Sequence, residues 1–128
     1  MFIPDFIELL NLPPSDAFRA HLIDTLEAQC AALWRIQDDE ASATAGFAYG
    51  ILKGVRKRFI SKDYGPIALK AVNAVLKRID ASGELKDVSF GTGMGHDLQD
   101  YKDIPLTSMP YGQSRAVMLL VELLQRFR

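Results

Sequence analysis

The residues best suited to chemistry fall within one stretch, Val88 to Gln113. It begins Val88-Ser89-Phe90-Gly91-Thr92-Gly93-Met94-Gly95-His96-Asp97 and closes on Met109-Pro110-Tyr111-Gly112-Gln113. Glycines at 91, 93 and 95 permit tight turns and close approach of a ligand. No Lys-Ser/Thr follows them and no helix is evident after them, so a nucleotide loop is not expected. His96 can donate to a carboxylate or a hydroxyl of a polar ligand. Tyr101 and Tyr111 offer rings on which an apolar face of a ligand stacks, although such rings equally fill interiors. Gly93, His96, Tyr101 and Tyr111 are therefore the candidate substrate-binding residues, against the plainer reading of a long connector with a structural histidine and packed tyrosines.

Other clusters point to structure rather than chemistry. Asp97, Asp100 and Asp103 have the oxygens for Ca²⁺, but the glycine and glutamate of an EF-hand are absent, so helix capping or a solvated face is expected. Asp38, Asp39 and Glu40 are adjacent, and neighbouring side chains diverge on any regular backbone, which disfavours a paired acid and base. They read as negative charge at a helix N-terminus. Lys53, Arg56, Lys57 and Arg58 read as cations at a helix C-terminus, solvated and favoured by the dipole. Trp34 and the single cysteine, Cys30, sit at helical positions and read as packing; one cysteine allows no intrachain disulfide. No metal site and no cofactor are expected.

The elements that must position these residues are helical. Phe2–Leu10 is a short apolar helix ended before Pro13-Pro14, and Ser15 or Asp16 can cap the second helix. Ala17–Gln37 places Phe18, Leu22, Leu26, Cys30 and Leu33 at helical spacing. Ala41–Arg58 has no charge before Lys53 and is apolar all round, as a buried helix is. Gly46 and Gly50 within it suggest close approach to a neighbour. Asp63–Ile79 carries the stripe Ile67, Ala71, Val75, Ile79, joined by Ala68, Val72 and Leu76. Asp80–Gly83 is a turn, and Glu84–Phe90 has the character of a short extended piece. Gln113–Arg128 closes the chain, with 117–121 apolar on every side. The expected fold class is all-α, built of consecutive α/α hairpins with one long glycine-rich loop.

At 128 residues the chain suits a single helical unit. A net charge of −1 argues against general affinity for nucleic acid or an anionic membrane, which leaves DNA binding through the basic run a remote third reading. No uncharged apolar run approaches the ~18–20 residues of a membrane span. The N-terminus lacks a basic region and cleavage site, so a cytoplasmic location is expected. Two helices apolar on all sides imply neighbours from more chain or from a partner; a compact four-helix domain with two central helices fits the same periodicity.

Three stretches, in order, resemble one family. They are Glu40-Ala41-Ser42-Ala43-Thr44-Ala45-Gly46-Phe47-Ala48-Tyr49-Gly50-Ile51-Leu52-Lys53-Gly54-Val55-Arg56, then Ala71–Gly83 containing Arg78-Ile79-Asp80, then Phe90–Asp97 through Met109–Gln113. Together they resemble the C-terminal part of the unsaturated rhamnogalacturonyl hydrolases, glycoside hydrolase family 105, related to family 88. The resemblance implies the last third of a six-hairpin α/α toroid. It also implies an activity on unsaturated uronyl disaccharides from pectin. A carboxyl group protonates the C4–C5 double bond, water adds at C5, and the hemiketal collapses with loss of the glycosidic bond. The family's catalytic aspartate and its Arg-Gly-Asn-x-x-Trp segment lie upstream of the matched region, so no catalytic residue is assigned here and the isolated chain is expected to lack activity. The short Gln37–Glu40 connector also departs from the family, which has a longer one with a Trp and a His. The alternative is a non-catalytic helical module that binds an oligosaccharide or a partner, with self-association through 41–58 and 113–127. Whether Met1 is the true start or marks a truncated gene is left open by the sequence.

Overall fold

A computed structural model describes residues 2–33, 41–91 and 93–127. In chain order the elements are α1 (Ile3–Leu10), α2 (Ala17–Leu33), α3 (Ala41–Arg56), a 3-10 turn (Lys62–Tyr64), α4 (Gly65–Leu76), β1 (Val88–Ser89), α5 (Leu98–Lys102), β2 (Leu106–Thr107) and α6 (Pro110–Gln125). The fold class is all-α. The expected last turn of the second helix, with Trp34, and the Asp38-Asp39-Glu40 cluster lie outside the described residues.

Helix α3 is the centre. Its run of small and aliphatic residues lets α4 and α6 pack along it, and Ala41, Ala45, Ala48, Ile51 and Leu52 are all buried. Gly46 and Gly50 are buried as well. Contacts fix the direction of the neighbours. Arg115 meets Ser42 near the start of both α6 and α3, and Glu122 meets Arg56 near their ends, so the two helices run parallel. Phe2 packs at a tilt against Tyr49, and Glu8 pairs with Lys57, so α1 runs parallel to the second half of α3. Between these parallel helices the chain returns through α2 and α4. A parallel inner row with returning outer helices is the layering of α/α hairpins.

Several expectations need correction. The third helix ends at Arg56, not Arg58. Arg58 takes φ 58° and the Phe59 amide donates to the Gly54 carbonyl, which turns the chain back on the helix end. The fourth helix is shorter than 63–79. Ser61 accepts from the Asp63 amide and opens a 3-10 turn first, and beyond Leu76 the chain leaves the helix so that Ile79 bridges Leu85. Its buried stripe is Ala68, Val72 and Val75, while Leu76 is 45% exposed. In α2 only Leu26 and Cys30 are buried; Phe18 is 48% exposed. Last, α6 begins at Pro110, whose fixed φ suits a first helical turn, three residues before the expected start. It is buried along Gly112, Ala116, Leu119 and Glu122 but exposes Val117, Val121 and Leu124.

Candidate functional site

The segment from Val88 to Met109 is not one unbroken loop. β1 pairs antiparallel with β2, Val88 opposite Thr107 and Ser89 opposite Leu106. The Phe90 amide extends this ladder to the Pro105 carbonyl at 2.9 Å. The ladder closes the segment at its neck and leaves 91–105 projecting. The neck is tied to the helices below. The Ala41 amide, at the start of α3, donates to the Asp87 carbonyl at 2.9 Å. Buried Val88 lies so close to Gly112 in α6 that a Cβ there would sit 2.5 Å from Val88 Cγ2. Gln113 holds the segment before β1: its Oε1 accepts from the Leu85 amide and its Nε2 donates to the Gly83 carbonyl. The projecting segment is thus seated at the N-terminal ends of α3 and α6.

Within the projection the carboxylates organise the backbone. Asp97 caps α5, accepting from the Gln99 and Asp100 amides at 2.7 and 3.1 Å. Asp100 accepts from the His96 amide at 2.7 Å, and Asp103 from the Gln99 side chain at 2.7 Å. The three aspartates act as caps and turn anchors. The glycine-rich run therefore does precede a helix, although one of five residues.

The candidate residues fall into two places. Gly93, Met94, Gly95, Asp100, Tyr101 and Ile104 line a shallow concavity of about 170 Å³. The Tyr101 hydroxyl accepts from the Gly95 amide at 3.2 Å, and its half-exposed ring lies against Gly95, where a Cβ would come within 3.1 Å of Tyr101 Cε2. His96 is exposed beside it, and Gly93 faces open space. Tyr111 does not line this concavity. It sits in the first turn of α6, donates its hydroxyl to the Ser89 carbonyl, and accepts from the Gly91 amide at 3.4 Å. Tyr111 thus locks the neck, while Gly93, His96 and Tyr101 form the outer surface. A wider groove of about 370 Å³ runs along Ser82, Gly83, Glu84, Ser108, Met109, Pro110 and Gln113.

Sequence reasoning missed a polar network between the parallel helices. The basic run does not simply point to water. Lys53 reaches Asp5 at 2.7 Å and Glu8 at 2.6 Å, Lys57 pairs with Glu8, and the Tyr49 hydroxyl donates to Asp5 at 2.6 Å. Arg56 grips Glu122 with two hydrogen bonds of 2.5 and 2.9 Å, and Glu122 is only 4% exposed. Burial opposes the Lys53 charge, but the bonds to Asp5 and Glu8 outweigh it and raise its pKa. Burial first, then the Asp5 carboxylate, pushes the Tyr49 hydroxyl up to about 12, so it stays a donor. Spacing along the chain carries no trace of these pairs, which join residues 44 to 66 positions apart. Cys30 is buried, and burial pushes its thiol up to about 11, far from a nucleophile's range.

The comparisons with known proteins agree with this layering. The sequence model of Glycosyl Hydrolase Family 88 matches residues 1–127. A structure described as a possible member of the GH105 family, from Salmonella enterica serovar Paratyphi A, is 51% identical with a TM-score of 0.94, covering 98% of this chain and 37% of that one. A similarly described structure from Klebsiella pneumoniae is 50% identical with a TM-score of 0.94, covering 100% of this chain and 38% of that one. A family 105 glycoside hydrolase from C. acetobutylicum shares the fold at a TM-score of 0.83 and 22% identity, over 96% of this chain and 42% of that one. No curated protein matches. The chain thus spans well under half of the solved chains it resembles. No helix among the described residues is long and apolar enough to cross a membrane. Matched almost end to end by the family's sequence pattern, and reproducing one portion of the α/α toroid, the chain belongs to the GH88/GH105 family of glycoside hydrolases.

Proposed function

We propose that the chain is the C-terminal portion of a hydrolase that hydrates the unsaturated uronyl residue of pectin-derived disaccharides, and that residues 91–105 form one rim of its sugar cleft. The observation that carries this reading is the seating of the glycine-rich projection. In a chain of this family, a hydrogen-bonded neck presents Tyr101, His96 and open backbone at the N-terminal end of the inner helices. A ring such as Tyr101 stacks a sugar's apolar face, and His96 donates to a hydroxyl or carboxylate. The carboxyl that protonates the double bond comes from outside this chain, so the rim binds and orients while another segment transfers the proton.

A domain exchange tests this. The matching segment of the Klebsiella relative is replaced by this chain, and the chimera, its parent and the chain alone are given an unsaturated rhamnogalacturonyl disaccharide. The expected result is loss of the C=C absorbance by parent and chimera at rates within about tenfold, with none from the chain alone. A folded but inert chimera beside an active parent would remove the cleft reading. Turnover by the chain alone would show that it holds the acid itself.

One observation favours a second reading, a helical module that associates with a partner or with itself. Val117, Val121 and Leu124 form an apolar stripe along α6, each more than half exposed.

A further inference from the structure

The chain carries sulfur in four methionines and one cysteine, and the fold treats them unequally. Cys30 is buried, and Met109 and Met118 are partly buried and packed against the core. Met94 is 95% exposed. Glycines flank it: Gly93 has open space around it, and Gly95 is held against Tyr101. A dissolved reagent therefore reaches the Met94 thioether with the fold intact, whereas core contacts shield Cys30, Met109 and Met118.

Met94 also has a place in the concavity of the projection, which it lines with Gly93, Gly95, Asp100, Tyr101 and Ile104. The backbone that follows it is anchored. The Gly95 amide donates to the Tyr101 hydroxyl at 3.2 Å, and the His96 amide to Asp100 at 2.7 Å. Met94, Tyr101 and Ile104 supply the apolar part of this surface, and Asp100 the charged part. A thioether is a polarisable, apolar contact for a ring. A sulfoxide is polar and chiral. Forming one here replaces apolar cover by a second acceptor beside the Asp100 carboxylate.

We propose that Met94 is a modification site for peroxides, and that its oxidation weakens ligand binding at this rim. The inference rests on the cleft reading above and adds to it a redox control. The step is a two-electron oxygen transfer. The sulfur lone pair attacks one oxygen of hydrogen peroxide, an S–O bond forms and the O–O bond breaks. The transferred hydroxyl gives its proton to the departing hydroxide, so the products are methionine sulfoxide and water. Methionine sulfoxide reductases reverse the change, one enzyme for each epimer.

The test treats the folded 128-residue chain with dilute hydrogen peroxide and maps sulfoxide by peptide mass spectrometry. Met94 is expected to oxidise at least about tenfold faster than Met109 or Met118. The chain is then titrated with an unsaturated rhamnogalacturonyl disaccharide, with the amides of residues 93–104 followed by NMR. Oxidation is expected to weaken binding about threefold or more, the reductases to restore it, and the affinity of Met94→Leu not to change on peroxide treatment. Similar oxidation rates at the three methionines overturn the assignment and leave the cleft reading standing. So does a Met94 sulfoxide form that binds as tightly as the reduced chain, or a Met94→Leu variant whose binding peroxide still weakens. Amides at 93–104 that never move with the disaccharide, before or after oxidation, overturn both.

Discussion

Glu8 shows how much a single side chain does here. It lies between Lys53 and Lys57 and joins α1 to the end of α3. Hydrogen bonds from Lys53 and then Lys57 hold its carboxyl below the ordinary value of 4.5. A depressed folded-state value means that the stabilisation is complete above the unfolded value and is lost as pH falls through the lower folded one. About a third of the side chain is exposed, so solvent screening keeps the effect modest. Glu8→Gln should therefore lower the urea midpoint at neutral pH, and the gap between variant and wild type should narrow below about pH 4. A gap unchanged across that range would mean that the pairing adds no proton-linked stability. By contrast, Asp80 acts within its own turn, where Ser82, the Glu84 amide and Lys86 hold its carboxyl well below the usual range.

The neck is the decisive element. Two-residue strands are too short to be stable alone, so β1 and β2 depend on what lies beneath them. That support is Gly112, which lets fully buried Val88 rest on the first turn of α6. Valine is stiff at χ1 and has no room to step aside. Gly112→Ala should cost about 1–3 kcal/mol and speed amide exchange at Ser89 and Phe90. Adding Val88→Ala should recover part of that loss, so the double variant is more stable than the sum of the single effects. Simple additivity in chemical unfolding would show that the two residues do not meet as described. The same element ties down the base of the projection, while Met94, at 95% exposure, stands at its outer part.

At the scale of the whole molecule, the distribution of apolar surface is uneven. α3 is enclosed by α4 and α6, whereas the outer stripe of α6 and the side chains of Phe6 and Phe18 face outward. The chain covers 37–38% of its bacterial GH105-type relatives. Under the self-association reading, light scattering after size exclusion should give a mass above 14.2 kDa, and Val121→Asp should return it to the monomer. A wild-type monomer at the highest attainable concentration would leave that stripe without a role in self-association.

Much of this was legible in the residues. The uncharged run before Lys53 marked a buried helix, Asp80–Gly83 marked a turn, and the ordered segments around Ser42, Arg78 and Gly93 marked the family. Each of these signals is local or periodic, so it survives in a linear string. Tertiary structure alone decided the rest. Pairing Lys53 with Asp5 and Arg56 with Glu122 depends on which helices run parallel, and no spacing records that. Strands two residues long have no period to detect. Phe18 and Leu76 carry the same apolar signal as Leu26 and Val75, yet only the latter pair is buried. Tyr111 turned from a stacking candidate into the lock of the neck because its hydroxyl met a backbone carbonyl 22 residues away. Propensity and periodicity are written in the order of residues, whereas burial, pairing and the orientation of a ring are set by partners that only the fold brings near.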